Sequence, residues 1–536
     1  MGTILKNVCL NRPFLHKRYT DHKDVQMELL QFSRCIKGIA PSLIFPALLF
    51  LYSSIPALAN SDSTKHWVGT WATAPYEAGT NTPPVALTNN TFRQIVRVSI
   101  GGDTLRLKFS NITFSKSITL NAVNIAVSPD GTKSPVTAST ITELKFKGNP
   151  SVTIDAKSEV YSDPVAFDLK PNMRLAITTY YGQCETSSTM THHYGSRTDS
   201  YILIGNKATD ANFSGATVVE RWYTIAAIDV LAPKSSASIG VIGNSITDGY
   251  GLHGGLQNRW TDVFSEKLLK SPGTSQVGVL NLGIGATLVT GASNGAKSGV
   301  DRFDHDVLQQ AGVKWVVIYY GINDINANVS STTITNGFKS MITAAHAKNM
   351  KVFGATITPV NENSYYSAAH EKVRSDVNAW IRTDPSLDGF FDFDKIIRNP
   401  SDTTRLQQQY SNDWLHPNAS GLKALGESID TKYFESPVTI TSNITLRTPA
   451  PSAMFTSQFN GTVTINFNLP KPSFVSLKVY SIAGREIAEI AGRHFEQGSH
   501  SLKYKPVNGA KGILVFALKC GSYSESKTFV FPSTSF

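Results

Sequence analysis

Ile239-Gly240-Val241-Ile242-Gly243-Asn244-Ser245-Ile246-Thr247-Asp248-Gly249 runs from an apolar stretch straight into a turn of small and polar residues. A short apolar run bounded by turn residues is the signature of a strand buried on both faces, as in parallel sheets. Similar runs recur at 277–280, 315–320 and 351–357, and stretches of helical length fall at 259–270, 333–349 and 367–382. Buried strands alternating with helices predict a doubly wound α/β domain over 235–434, with any ligand at the carboxyl ends of the strands.

The flanks read differently. Residues 66–232 alternate apolar and polar positions in runs such as Gln94-Ile95-Val96-Arg97-Val98, punctuated by turn clusters such as Pro129-Asp130-Gly131. This period of two predicts an antiparallel β-sandwich over 60–234, without a catalytic signature of its own. Within 1–59, Arg34 and Lys37 precede an apolar run from 39 to 55 and then Ala57-Leu58-Ala59. That is the three-part pattern of a secretory signal peptide cleaved near Ala59, placing the protein outside the cell or at its surface. Pro41, Pro46 and the shortness of the run argue against a membrane span of about 20 residues. Residues 1–26 are polar and sit awkwardly before this pattern, as an extended n-region or a start codon placed too early. A Thr/Ser/Pro-rich linker is expected at 435–452, and a small β-sandwich at 453–536, with Gly461, Gly484, Gly498, Gly512 and Gly521 as turn points.

Composition bounds the function. Over 536 residues, 41% are hydrophobic and 17% charged, which describes a globular chain of two or three domains. The net charge of +10 invites an acidic partner, but Lys and Arg are scattered and no run resembles a nucleic-acid-binding patch. Cys9 and Cys35 fall in the leader, and Cys184 and Cys520 in different domains, so neither a disulfide framework nor a zinc site is expected.

Four segments carry chemistry. Ser245 follows the first α/β strand, and a serine hydroxyl becomes a useful nucleophile only when a base takes its proton. Asn281-Leu282-Gly283-Ile284-Gly285-Ala286 follows the next strand, and its small residues permit a tight turn whose N–H groups face a developing oxyanion. Gly321-Ile322-Asn323-Asp324 supplies a side-chain amide as a further donor, while Asp324 and Asp248 read most simply as caps or turn formers. In Asp413-Trp414-Leu415-His416-Pro417 the proline is suited to open a helix, so that Asp413 and His416 share one turn and the carboxylate orients the imidazole.

The order and chemistry of these blocks resemble the SGNH/GDSL hydrolases, over about 236–434. The resemblance implies a flavodoxin-like hydrolase domain with Ser245 as nucleophile, His416 as base and Asp413 orienting it. It also implies an oxyanion hole from the Ser245 N–H, the Asn323 side chain and an N–H of the second block, at Ala286 or Gly283. Related esterases commonly carry glycine at the position of Ala286, where alanine serves if φ stays negative. Arg259, which opens a helix after the nucleophile, is a candidate substrate ligand or a brace of the loop. His192 and His193, adjacent on a strand, receive no role.

Gly291-Ala292-Ser293-Asn294-Gly295 matches the nucleophile elbow of α/β-hydrolases, but a strong strand before it and a helix after it are missing. Trp67-Val68-Gly69-Thr70-Trp71 is similar to the β-sandwich preceding the hydrolase domain in bacterial GDSL-like esterases. The tail, with Val475-Ser476-Leu477-Lys478-Val479-Tyr480 and Ala483-Gly484-Arg485, is similar to the sorting domain of type IX secretion, which implies the secretion machinery as a partner; a carbohydrate-binding module is the alternative. The expectation is a secreted serine esterase without metal or organic cofactor, acting on an acylated polysaccharide through an acyl-enzyme. A lipid esterase or lysophospholipase and a non-catalytic glycan-binding protein are the rivals.

Overall fold

In the computed structural model, strands β1 (Ala237–Gly243), β2 (Val277–Gly283), β3 (Val313–Tyr319), β4 (Lys351–Ala355) and β5 (Gly389–Phe391) form one parallel sheet, ordered β2-β1-β3-β4-β5. The strand order reverses beside β1, which places a crevice at the carboxyl ends of β1 and β3. Every residue of β1 is buried, because helices cover both faces. Helices Trp260–Lys270 and Ala419–Ser428 pack Trp260, Phe264, Leu422 and Leu425 against Ile239 and Val241. On the other face, Ser331–His346 and Ala368–Thr383 bring Phe338, Met341, Val377 and Ile381 onto Val316 and Ile318. Each such aliphatic side chain contributes about 1.5–3 kcal/mol through burial.

The structure describes residues 64–435, 452–457, 462–506, 512–520 and 523–531. The signal-peptide reading lies outside these residues, as do all but the ends of the expected linker, Gly461 and Gly521.

The chain divides into two compact units, up to Pro437 and from Val438. In the first, residues 64–233 are mostly antiparallel sheet. A five-stranded sheet contains Lys65–Ala72 and Ile225–Pro233, a seven-stranded sheet contains Asn90–Arg97 and Arg174–Tyr181, and a short third sheet is built from Tyr76–Glu77, Thr191–His193 and Trp222–Tyr223. Residues of the two larger sheets, such as Leu105, Leu107, Val96 and Ile177, share one core. This β region packs closely on the parallel sheet. The Gly69 carbonyl accepts from Ser238 Oγ at 3.0 Å, and a Cβ on Gly278 would overlap that carbonyl.

The second unit holds a three-stranded and a four-stranded antiparallel sheet around Val463, Ile465, Val475, Leu477, Phe516 and Leu518. Gly484, at φ +77°, makes the turn between Ser473–Ser481 and Glu486–Phe495.

Candidate active site

The chain leaves β1 at Gly243 and turns at once into the four-residue helix Ser245–Asp248. The turn is possible because residue 243 has no side chain: a Cβ there would overlap Thr247 Oγ1 and come within 2.8 Å of the Tyr319 carbonyl. Asn244 caps the helix, its Oδ1 accepting the Ile246 N–H at 3.1 Å. Ser245 therefore stands at the strand end, 9% exposed, and as the first helical residue its N–H has no intrahelical acceptor.

The Ser245 hydroxyl meets His416 Nε2 at 2.9 Å, and His416 Nδ1 lies 2.8 Å from Asp413 Oδ2. A carboxylate only accepts, so Nδ1 carries the proton and Nε2 is left to accept from Ser245. Asp413 Oδ1 also accepts the N–H groups of His416 at 2.6 Å and Leu415 at 3.1 Å. Burial would raise the Asp413 pKa, but these bonds from His416 and Leu415 hold it below the usual carboxylate value. Burial lowers the His416 pKa, with Asp413 opposing the shift and the charge of Arg197 adding to it.

Pro417 does not open a helix, contrary to the sequence expectation. Asn418 caps the helix Ala419–Ser428, and residues 411–417 close instead as a loop through a Ser411–Pro417 bridge, with Trp414 at φ +64°. Asp413 and His416 meet across that loop.

Asn323 follows β3 in the short helix Ile322–Asn326, and its Nδ2 donates to the Thr287 carbonyl at 2.9 Å, leaving one amide hydrogen without a partner among the described residues. Asp324 is more than a cap. Both of its oxygens accept the Val289 N–H, at 3.0 and 2.9 Å, which pins the loop after β2. The same loop corrects two oxyanion assignments. The Gly283 N–H is occupied by Asn281 Oδ1 at 3.0 Å, so Gly283 is not a free donor. Its lack of a side chain serves packing, because a Cβ would come within 2.6 Å of the Asp248 nitrogen. Ala286 sits at φ +63°, the left-handed conformation that glycine tolerates and alanine does not, so the condition of a negative φ is not met.

Residues 241–424 match the family model of the GDSL-like lipase/acylhydrolase family. This region is a GDSL-like acylhydrolase domain. The enzyme is accordingly a carboxylic ester hydrolase. No curated protein matches the chain. Among solved structures, a GDSL-like lipase from Bacteroides thetaiotaomicron is 21% identical, over 36% of this chain and 84% of its own, with a TM-score of 0.27. A catalytic mutant of an acetylxylan esterase from Geobacillus stearothermophilus is 18% identical, over 36% and 92%, with a TM-score of 0.30. A psychrotrophic esterase from a Pseudoalteromonas species is 18% identical, over 37% and 96%, with a TM-score of 0.29.

Arg259 is a brace in this acylhydrolase domain and not a free substrate ligand. Its Nε donates to the Asp248 carbonyl at 2.9 Å, NH2 to the Gly195 and Ser196 carbonyls at 3.2 and 2.7 Å, and NH1 to Gln257 Oε1 at 3.3 Å. Ser293 sits in a tight turn closed by the Ser293–Ala296 bridge, and among the described residues no histidine hydrogen-bonds to it. Among the described residues no three His, Cys, Asp or Glu side chains gather to hold a metal ion.

The sequence reading missed the part of the site that comes from the β region. His193 is buried, with Nδ1 2.9 Å from the Ala74 carbonyl and Nε2 3.1 Å from Asp248 Oδ1. Its two ring nitrogens thus face two oxygens, the Ala74 carbonyl and the Asp248 carboxylate, which ties the β region to the nucleophile helix. Burial would raise the Asp248 pKa; His193, and then Arg197 and Arg259, hold it down. Gly195 must be glycine for the same contact, since a Cβ would overlap the Asp248 carboxylate. The only signal in the sequence was the His192-His193 pair.

Proposed function

We propose that this acylhydrolase domain cleaves its ester in two steps, with Ser245 as nucleophile, His416 as general base and Asp413 as the group that orients it. The observation that carries the reading is the unbroken hydrogen-bond chain from Ser245 Oγ through His416 to Asp413. Ser245 Oγ bonds to the acyl carbon as its proton passes to His416 Nε2. The carbonyl oxygen becomes an oxyanion, held by the Ser245 N–H and the second amide hydrogen of Asn323. The carbon–alkoxy bond then breaks, and the leaving alcohol takes the proton from His416. Water attacks the acyl-enzyme with its proton going to His416, and Ser245 departs with that proton as the acid is released.

The proposed substrate is an acetylated polysaccharide outside the cell. Supporting this are the export pattern before Asn60 and the exposed Tyr250 ring beside the site, whose centroid lies 4.4 Å from that of His416. The unit from Val438 acts in this reading as a type IX sorting domain, consistent with its two small antiparallel sheets.

The test is hydrolysis of p-nitrophenyl acetate and longer esters. Ser245→Ala is expected to lower kcat by roughly 10⁴-fold or more, while Ser293→Ala leaves it within about twofold. Activity that survives in Ser245→Ala would overturn the assignment.

A further inference from the structure

Two arginines face the nucleophile turn, and they differ in what their donors do. Arg259 uses its nitrogens on protein acceptors, as described above. Arg197 does not. Its side chain is only 11% exposed, yet among the described residues it makes no hydrogen bond, and Nε is buried without a partner. The nearest carboxylate oxygens are Asp248 Oδ2, 3.6 Å from NH2, and Glu220 Oε1, 3.9 Å from NH1. Asp248 Oδ1 already has His193 Nε2 at 3.1 Å, and Glu220 is 43% exposed and, among the described residues, makes no hydrogen bond to the guanidinium. A desolvated guanidinium with unused donors is costly and is matched best by a planar carboxylate. The backbone there is strained as well, with Arg197 at φ +50°.

Arg197 adjoins the Ser245 site through Asp248 and Tyr250. A Cβ placed on Gly285 would lie 3.8 Å from Asp248 Oδ2, the oxygen that Arg197 approaches, and 4.0 Å from Ser245 Cβ. The guanidinium carbon also lies 5.6 Å from the centroid of the Tyr250 ring, which packs against His416 and is 46% exposed. An apolar ring face next to an unsatisfied guanidinium suits a sugar ring that carries a carboxylate.

We propose that Arg197, supplied by the β region, and Tyr250 form a specificity subsite for a carboxylate-bearing sugar, so that the ester cleaved belongs to an acidic glycan. This rests on the esterase reading above. Arg197 takes the carboxylate bidentately while the sugar ring stacks on Tyr250. The choice of substrate is thereby set by a residue outside the four hydrolase segments.

The probe is inhibition of p-nitrophenyl acetate hydrolysis by a galacturonate trisaccharide, by the same trisaccharide with its carboxyl groups reduced to alcohols, and by glycerophosphate. All are run on the full chain in about 0.5 M salt, where screening suppresses the general pull of the basic protein. The acidic trisaccharide should inhibit the parent at concentrations at least about tenfold lower than the reduced one, and that ratio should collapse towards one in Arg197→Gln and partly recover in Arg197→Lys. Equal inhibition by the two trisaccharides in the parent overturns the proposal, even if the variants do not fold. A ratio unchanged in Arg197→Gln overturns it too, as does glycerophosphate inhibiting better than the acidic sugar. If the parent does not hydrolyse the acetate, the esterase reading itself fails, and direct binding of the two trisaccharides by calorimetry decides the subsite on the same ratio.

Discussion

The α/β region and the β region meet at Asp248, and they build the site by different means. The α/β region supplies Ser245, Asn323, Asp413 and His416 from loops at the carboxyl ends of successive strands. The β region supplies His193 and Arg197 from a short strand and the turn after it, both beside Asp248 of the nucleophile helix. One set is gathered around Ser245 and the other around the buried Asp248 carboxylate, with Arg197 also reaching towards Tyr250. In the proposed mechanism His416 and His193 therefore have separable roles, and substitutions should separate them.

The largest effect is expected at the base. His416→Ala should lower kcat by roughly 10⁴-fold or more in ester hydrolysis while leaving the urea midpoint nearly unchanged. His193→Ala should act in the opposite sense, removing one partner of a buried pair and destabilising the fold by about 3–5 kcal/mol in chemical denaturation. His193→Gln, which keeps a donor towards Asp248, should recover part of that loss. A His193→Ala protein of parental stability would break the comparison. Asn323→Ala is expected to lower kcat roughly 10²–10³-fold with a smaller change in KM, as for loss of one oxyanion donor. Ala286→Gly should raise stability by at most about 1 kcal/mol, because it relieves a left-handed alanine.

The pH dependence sharpens the comparison further. The proposed mechanism needs neutral His416, so kcat/KM is expected to fall as the pH drops through its pKa. Burial lowers that pKa, so the acid limb should lie below the ordinary imidazole value of about 6.5. The positive charge of Arg197 disfavours the imidazolium, so Arg197→Gln should move the limb upward.

The legibility of the two regions in the sequence follows the same division. Ser245, Asn323 and His416 could be read because each sits in a short segment tied to a strand end, where local spacing reports position. The parallel sheet was readable for a related reason, since β1 is buried along its whole length and its apolar run has no polar interruption. Arg259 was placed near the nucleophile from proximity in sequence, but only the fold shows that its donors are spent on the carbonyls of 195 and 196. Gly283 and Ala286 were misread because an N–H direction and the sign of φ depend on how the loop is pinned by Asn323 and Asp324. His193 and Arg197 lie about 50 residues before Ser245, in a different kind of sheet, and no local pattern links them to it. Long-range partners of a buried charge leave no periodic trace in a sequence.

The central claim is that the chain from Asp413 through His416 makes Ser245 the one activated serine. An ethyl p-nitrophenyl phosphonate, which traps nucleophilic serines, tests it most directly when the labelled protein is digested and mapped by mass spectrometry. The account predicts a single adduct on the peptide containing Ser245, lost in His416→Ala. Labelling on Ser293, or labelling of Ser245 that is undiminished in His416→Ala, would contradict it.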